Sequence, residues 1–281
     1  MAWHAKLDLH YASAPLADGA PRTTVQFKHD GPLRMLQSLY PEGPAVCHNV
    51  LVHPPGGIVG GDTLDIAVQV ATGAHALITT PAATRFYKSM GEPGTQQVKV
   101  QLHSGARLEW LPLETLVYNG CNAHNSAVFD IASGAEMIGW DITALGLPHA
   151  NQPFERGSLQ QHIEVTGAWL ERALIDAADT RLLHSPLGLA GNLCMGSLFF
   201  ATGDAITRER RERLLEIIRA VVADDALAST TGATAPNNRV VVVRSLAPMV
   251  EPMVALLRRV WVALRHAAWD MPAEVPRIWA M

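Results

Sequence analysis

The 281-residue chain has no surplus of positive charge: 22 Lys and Arg stand against 26 Asp and Glu, a net charge of -4. Nothing is left over to neutralise the phosphates of nucleic acid or an anionic membrane, so neither is an expected partner. No uninterrupted apolar run approaches the roughly 18 residues of a membrane-spanning helix. The opening Met1-Ala-Trp-His-Ala-Lys-Leu-Asp8 lacks the charged and then apolar regions of an export signal. Cysteine is scarce and odd in number: Cys47, Cys121 and Cys194 lie far apart with no C-x-x-C pair. That pattern suits a reducing cytoplasm and no disulfide frame. G-x-S-x-G and H-E-x-x-H are both missing, which removes the local signatures of a serine hydrolase and a zinc protease. The glycine-rich Pro54-Pro-Gly-Gly-Ile-Val-Gly-Gly-Asp62 has no Gly-Lys-Ser/Thr ending and no helical pattern after it. It reads as a tight paired turn in which two backbones approach closely, and not as a phosphate loop.

What is present is an apolar, weakly charged chain, 48% hydrophobic and 17% charged, which suffices for one large core or two modest ones. Arg outnumbers Lys by 18 to 4, a choice that suits planar, bidentate contacts at protein interfaces. From residue 1 to about 203 the apolar residues alternate. Leu64, Ile66, Val68 and Val70 face one way and Asp65, Ala67 and Gln69 the other; Val98, Val100 and Leu102 repeat the pattern. Four junctions punctuate these strands: Thr72-Gly73-Ala74, Ser104-Gly105-Ala106, Ser133-Gly134-Ala135 and Thr166-Gly167-Ala168. Their glycines are 32, 29 and 33 residues apart (73 to 105 to 134 to 167). A near-constant period of strand-turn-strand units predicts stacking, hence a mainly β, elongated body that is either β-helix-like or a pair of packed sheets. Asn119-Gly120 predicts a hairpin.

The rest of the chain, about 204–281, predicts two helices within what is otherwise a single domain. One runs from a Thr207 cap to about Ala223, and the other from Pro248 to His266, with Pro252 tolerable only in its first turn. A strand pair is expected between them, around Ser229-Thr234 and Val240-Val243.

Metal ligation fails a simple distance test. Cys47 and His53 share a strand face but lie about 20 Å apart at about 3.3 Å per residue, and His48 points the other way. A buried thiol and a hydrogen-bonded histidine are the expected roles. Asp62, Glu109, Glu114, Asp130, Glu136 and Asp141 are scattered along the strands. A carboxylate turned inward would have to pair, hydrogen-bond or line a wet passage.

Four runs carry a resemblance: Cys47-His-Asn-Val-Leu-Val-His-Pro-Pro-Gly-Gly-Ile-Val-Gly-Gly-Asp62, Leu77-Ile-Thr-Thr-Pro-Ala-Ala-Thr-Arg-Phe-Tyr-Lys88, Leu108-Glu-Trp-Leu-Pro-Leu-Glu-Thr115 and Pro276-Arg-Ile-Trp279. In this order, from about residue 31 to the C-terminus, the chain resembles the urease accessory protein UreD (UreH) family. Leu113 departs from the glutamine usual there. The resemblance implies a non-enzymatic, β-rich maturation scaffold that docks with UreF and the GTPase UreG on apo-urease and assists nickel delivery. It implies no stably bound cofactor, only nickel in transit, and an interior route for the ion.

On that reading, Asp62, Glu109, Glu114 and Asp141 are candidates for the ion path, since a Ni(II) ion in transit needs weak oxygen or imidazole contacts. The first three lie inside the motifs. Arg258, Arg259, Trp261 and Trp279 are candidates for binding UreF, and the chain expressed alone is expected to aggregate. The alternative is a carbohydrate-active β-helix enzyme using paired carboxylates, against which the cytoplasmic character and the few aromatics, 6%, count. A plain interaction repeat is a third reading.

Overall fold

The computed structural model describes residues 2–280. At one end of the fold β1 (His4–Pro15) pairs antiparallel with β2 (Pro21–Asp30), and the short β3 (Arg34–Met35) pairs antiparallel with β4 (Val46–Val52). From there the chain coils. The strands β5 (Thr63–Val70), β8 (Gly94–Leu102), β11 (Cys121–Ile131) and β13 (Gly157–Val165) stack in parallel beside β1 in a seven-stranded sheet. Opposite them β6 (His75–Thr79), β9 (Arg107–Leu111) and β12 (Glu136–Leu145) stack in parallel on β4 in a ten-stranded sheet. The short β7 (Thr84–Phe86) and β10 (Thr115–Val117) pair in parallel and form a third side. Thr63 lies beside Thr95, Thr95 beside His124 and His124 beside Gln160, giving coils of 32, 29 and 36 residues (63 to 95 to 124 to 160). The body is therefore a β-solenoid.

The turns come from the four glycine junctions, all at positive φ: +71° at Gly73, +69° at Gly105, +77° at Gly134 and +68° at Gly167. Three of them carry the chain from the smaller sheet to the larger. The fourth corrects the expected repeat, because Gly167 leads into β14 (Trp169–Asp176), which folds back antiparallel on β13. The cause lies in the strand that follows. Strands β6, β9 and β12 are buried on both faces, whereas β14 alternates between buried Trp169 and Ile175 and exposed Leu170, Arg172 and Leu174. A strand with one wet face serves as an edge and not as a sandwiched centre. Asn119-Gly120 also differs from expectation. Gly120 turns at φ +83°, but the turn joins β10 to β11 in different sheets, so no hairpin forms.

The region beyond residue 203 is woven into the larger sheet. β15 (Cys194–Thr202) pairs antiparallel with β12, followed outward by β17 (Val240–Ala247) and β16 (Thr231–Thr234). Besides the short α1 (Thr180–His184), two helices form. α2 (Arg208–Ala223) starts under the predicted cap, the Thr207 hydroxyl accepting from the Arg210 amide at 3.2 Å. α3 (Val250–Trp269) outlasts the predicted His266 and stops at Asp270, whose φ is +53°. No helix among the described residues is long and apolar enough to cross a membrane.

Two cores result. One fills the solenoid lumen between the sheets; the other lies between the outer face of the larger sheet and α2 and α3. The larger sheet has no solvated face over most of its area, which explains its near-continuous apolar strands.

Candidate functional site

Strand parity decides which core each polar side chain enters. In the smaller sheet Leu64, Gln96, Asn125 and Gln161 occupy one inward row across β5, β8, β11 and β13. Three amides thus cross the lumen where an apolar ladder would be expected. Gln96 Nε2 donates to Asn125 Oδ1 at 3.2 Å, and Asn125 Nδ2 donates to Asp141 Oδ2 at 3.3 Å. The hydroxyl of Thr143 donates to Asp141 Oδ1 at 3.1 Å, and Gln161 Nε2 donates to the same oxygen. Asp141 is the carboxylate of this row. Burial pushes its pKa up, hydrogen bonds from Gln161, Thr143 and Asn125 only partly counter that, and Glu171 adds to the rise.

Beyond Asp141 the row opens into a cavity of about 330 Å³ that also takes in Glu171, Ser197 and Arg244. There the Ser197 hydroxyl and Arg244 Nε each donate to Glu171, both at 2.8 Å. At the other end Gln96 lines a cavity of about 210 Å³ walled by His53, Arg85 and Trp110. The lumen is therefore polar along one line between two cavities. Its donors are neutral oxygens and amides around one carboxylate, a set that contacts a borderline cation weakly. Among the described residues no cluster of three or more His, Cys, Asp or Glu gathers as a tight ion-binding site.

The outer face of the larger sheet carries a different network. Glu109 is fully buried. Its Oε1 lies 2.8 Å from His75 Nε2 and 3.2 Å from Arg265 Nε, and its Oε2 accepts from Trp261 Nε1 at 2.6 Å. Arg265, 0% exposed, also bonds Glu42, whose other oxygen lies 2.6 Å from His48 Nε2. Burial works to raise Glu42, but hydrogen bonds from His48 and Arg265 outweigh it and hold the carboxyl below its usual value. These six groups fasten α3 to the sheet.

Over residues 4–280 the chain matches the family described as UreD urease accessory protein. The chain belongs to that family. It is 58% identical over 280 residues to the urease accessory protein UreD of Variovorax paradoxus (strain S110), with each chain covered completely. The Paracidovorax citrulli (strain AAC00-1) protein of that name is 58% identical over 281 residues, again with full coverage of both chains. The Methylibium petroleiphilum (strain ATCC BAA-1232 / LMG 22953 / PM1) protein of that name is 51% identical over 296 residues, covering 99% of each chain.

The four acidic candidates are not gathered in one place. Asp141 is in the lumen and Glu109 is under α3. Asp62, 1% exposed, closes the glycine turn, accepting from the Trp3 amide at 2.7 Å and the Val59 amide at 3.0 Å. Glu114 is half-buried beside β10, where its charge supports that of Arg258 against the effect of burial. Leu113, at the position that departs from the family pattern, packs into the helix-side core. Cys47 and His48 have the two roles expected of them: a buried thiol facing the lumen, and a histidine bonded on the other face. Sequence reasoning missed the lumen amides, although their parity was readable: Gln96 shares the face of Val98 and Val100, and Gln161 that of Leu159 and Ile163.

The partner candidates also separate. Trp261 is 0% and Trp279 8% exposed; the rings lie 5.5 Å apart, and Trp279 Nε1 donates to Thr79 Oγ1 at 2.8 Å. Both tryptophans belong to the chain's own core, because the stripe of α3 that carries Trp261 faces the sheet. Arg258 lies over the Trp279 ring, 4.7 Å from its centroid. Arg259 is exposed and pairs with Asp225.

Proposed function

We propose that this chain serves urease maturation as a scaffold without chemistry of its own, docking with UreF and UreG on apo-urease and assisting nickel insertion. Nickel is cargo, held in passing and not retained as a cofactor. The observation that carries the reading is the Gln96–Asn125–Asp141–Gln161 row through the solenoid. Aqueous Ni(II) needs oxygen donors along its way and must leave them again, and amides and hydroxyls around one carboxylate meet both needs better than thiolates would. Of the four acidic candidates, Asp141 is the one we assign to the path.

The test is nickel content of urease matured in cells. Asp141→Ala and the double variant Asn125→Ala, Gln161→Ala are expected to lower nickel loading while the accessory complex still assembles. Asp62→Ala is expected to act through the turn, lowering the amount of folded accessory protein. Full activation by both lumen variants would overturn the path.

A further inference from the structure

The cavity of about 210 Å³ at the first coils is not explained by cation transit. Of its polar lining, His53 and Arg85 each bury a nitrogen, His53 Nε2 and Arg85 Nε, that has no hydrogen-bond partner. Buried donors and acceptors are nearly always satisfied by protein, water or ligand. Two residues that line one cavity, each with an orphaned nitrogen, mark a place where something polar is missing. Among the described residues no carboxylate lines this cavity and Arg85 makes no ion pair, so its charge is not compensated locally. The carboxylate that acts on His53 is Asp62, whose two oxygens are taken by the Trp3 and Val59 amides. We propose that the cavity binds a small, planar, monovalent oxyanion of carboxylate or bicarbonate type, with Arg85 supplying the charge and His53 a second N–H donor.

The surroundings fit that class. Burial pulls the pKa of His53 down, so the ring is neutral near pH 7 and can present one N–H to an oxygen. A guanidinium matches the two oxygens of a planar anion. Leu51, Leu64 and Trp110 give the cavity an apolar wall that suits the flat or methyl-bearing end of such an ion. The volume corresponds to about seven waters at roughly 30 Å³ each, enough for a four-atom anion with a few waters.

The two donors also stand on segments locked to each other. The Ile58 amide donates to the Arg85 carbonyl at 2.7 Å, and the Tyr87 amide donates back to the Ile58 carbonyl at 2.9 Å. At Gly57 a Cβ would meet the Tyr87 ring at 2.1 Å. The glycine run therefore brings the His53 segment against the Arg85 segment, as its reading as a close backbone approach anticipated. The proposal stands on this cavity alone, whatever cargo the lumen carries.

The test titrates the full-length protein with acetate, bicarbonate and the neutral isostere acetamide. Heat is followed by calorimetry and the His53 ring by ¹⁵N NMR, with His53→Gln identifying the signal. Saturable binding of acetate or bicarbonate that shifts the His53 resonance is expected, with acetamide inert; the tighter of the two anions names the source. Arg85→Gln should weaken binding about tenfold or more, and Arg85→Lys should retain part of it. An equal response to acetate and acetamide, no response in wild-type protein, or unchanged affinity in a folded Arg85→Gln protein would each overturn the site.

Discussion

The ten-stranded sheet buries polar groups on both of its faces, and the two faces handle charge in opposite ways. Under α3, Glu109 and Glu42 are both met by the Arg265 guanidinium, so that charge is answered by charge at close range, and His75 and His48 add hydrogen bonds. In the lumen, Asp141 is met by Gln161, Thr143 and Asn125, all neutral. The pKa directions follow: Glu42 is held down and Asp141 is pushed up. A carboxylate locked to a guanidinium is spoken for and serves to join two layers. One held by amides keeps an incompletely compensated charge that a passing cation can use. That difference, more than acidity or position in a motif, is why Asp141 and not Glu109 is assigned to the path.

The largest expected effect breaks the outer network. Glu109→Ala leaves Arg265 short of a partner and strands His75 and the Trp261 N–H, at a cost of about 3–5 kcal/mol for breaking a buried pair, measured as a lower midpoint in denaturant unfolding. Asp141→Ala should cost clearly less, since the amides around it can re-pair or take up water. Equal losses would erase the distinction between the faces.

A pH series sharpens it. The folded pKa of Glu42 lies below its unfolded value, so its contribution is present above the unfolded value, about 4.3, and fades as pH falls through the folded value. Glu42→Gln should therefore be less stable than wild type near neutrality, with the difference closing in acid. Asp141 has the reverse sign. Its folded pKa lies above the unfolded one, so between them the native state binds more protons and stability falls as pH rises. Asp141→Asn should be more stable than wild type near pH 7, and that advantage should shrink as pH drops. Parallel pH profiles for the two variants would refute the comparison.

The smallest effect is at the surface. Arg259→Ala removes a pair at the surface between exposed Arg259 and half-buried Asp225, and should change stability by about 1 kcal/mol. Loss of copurification with UreF by this variant would then report binding and not folding. Arg258→Ala lacks that clarity, because it also uncovers the Trp279 ring. An unchanged yield with UreF would remove Arg259 from the docking surface.

Local sequence determined the stacked-strand class, the glycine turns and the two main helices. Each of these rests on short-range rules: alternation for a buried face, positive φ at Gly73, Gly105 and Gly134, a Thr207 cap, and a stripe at three and four along α3. Alternation along β9 puts Glu109 on the face opposite Leu108 and Trp110. What parity could not say is that the face opposite the lumen is itself covered, because the cover, α3, lies about 150 residues further along the chain (109 to 261). Longer separations still, 223 and 200 residues, hid the partnership of Glu42 with Arg265 and of Thr79 with Trp279, so the tryptophans read as surface when they are core. Gly167 has the same local motif as Gly73, and only the half-wet pattern of β14 turned it into a hairpin. Turn chemistry is written in three residues. Which polar group meets which across the lumen or beneath a helix is set by layers that assemble only when the whole chain has folded, and the site depends on that assembly.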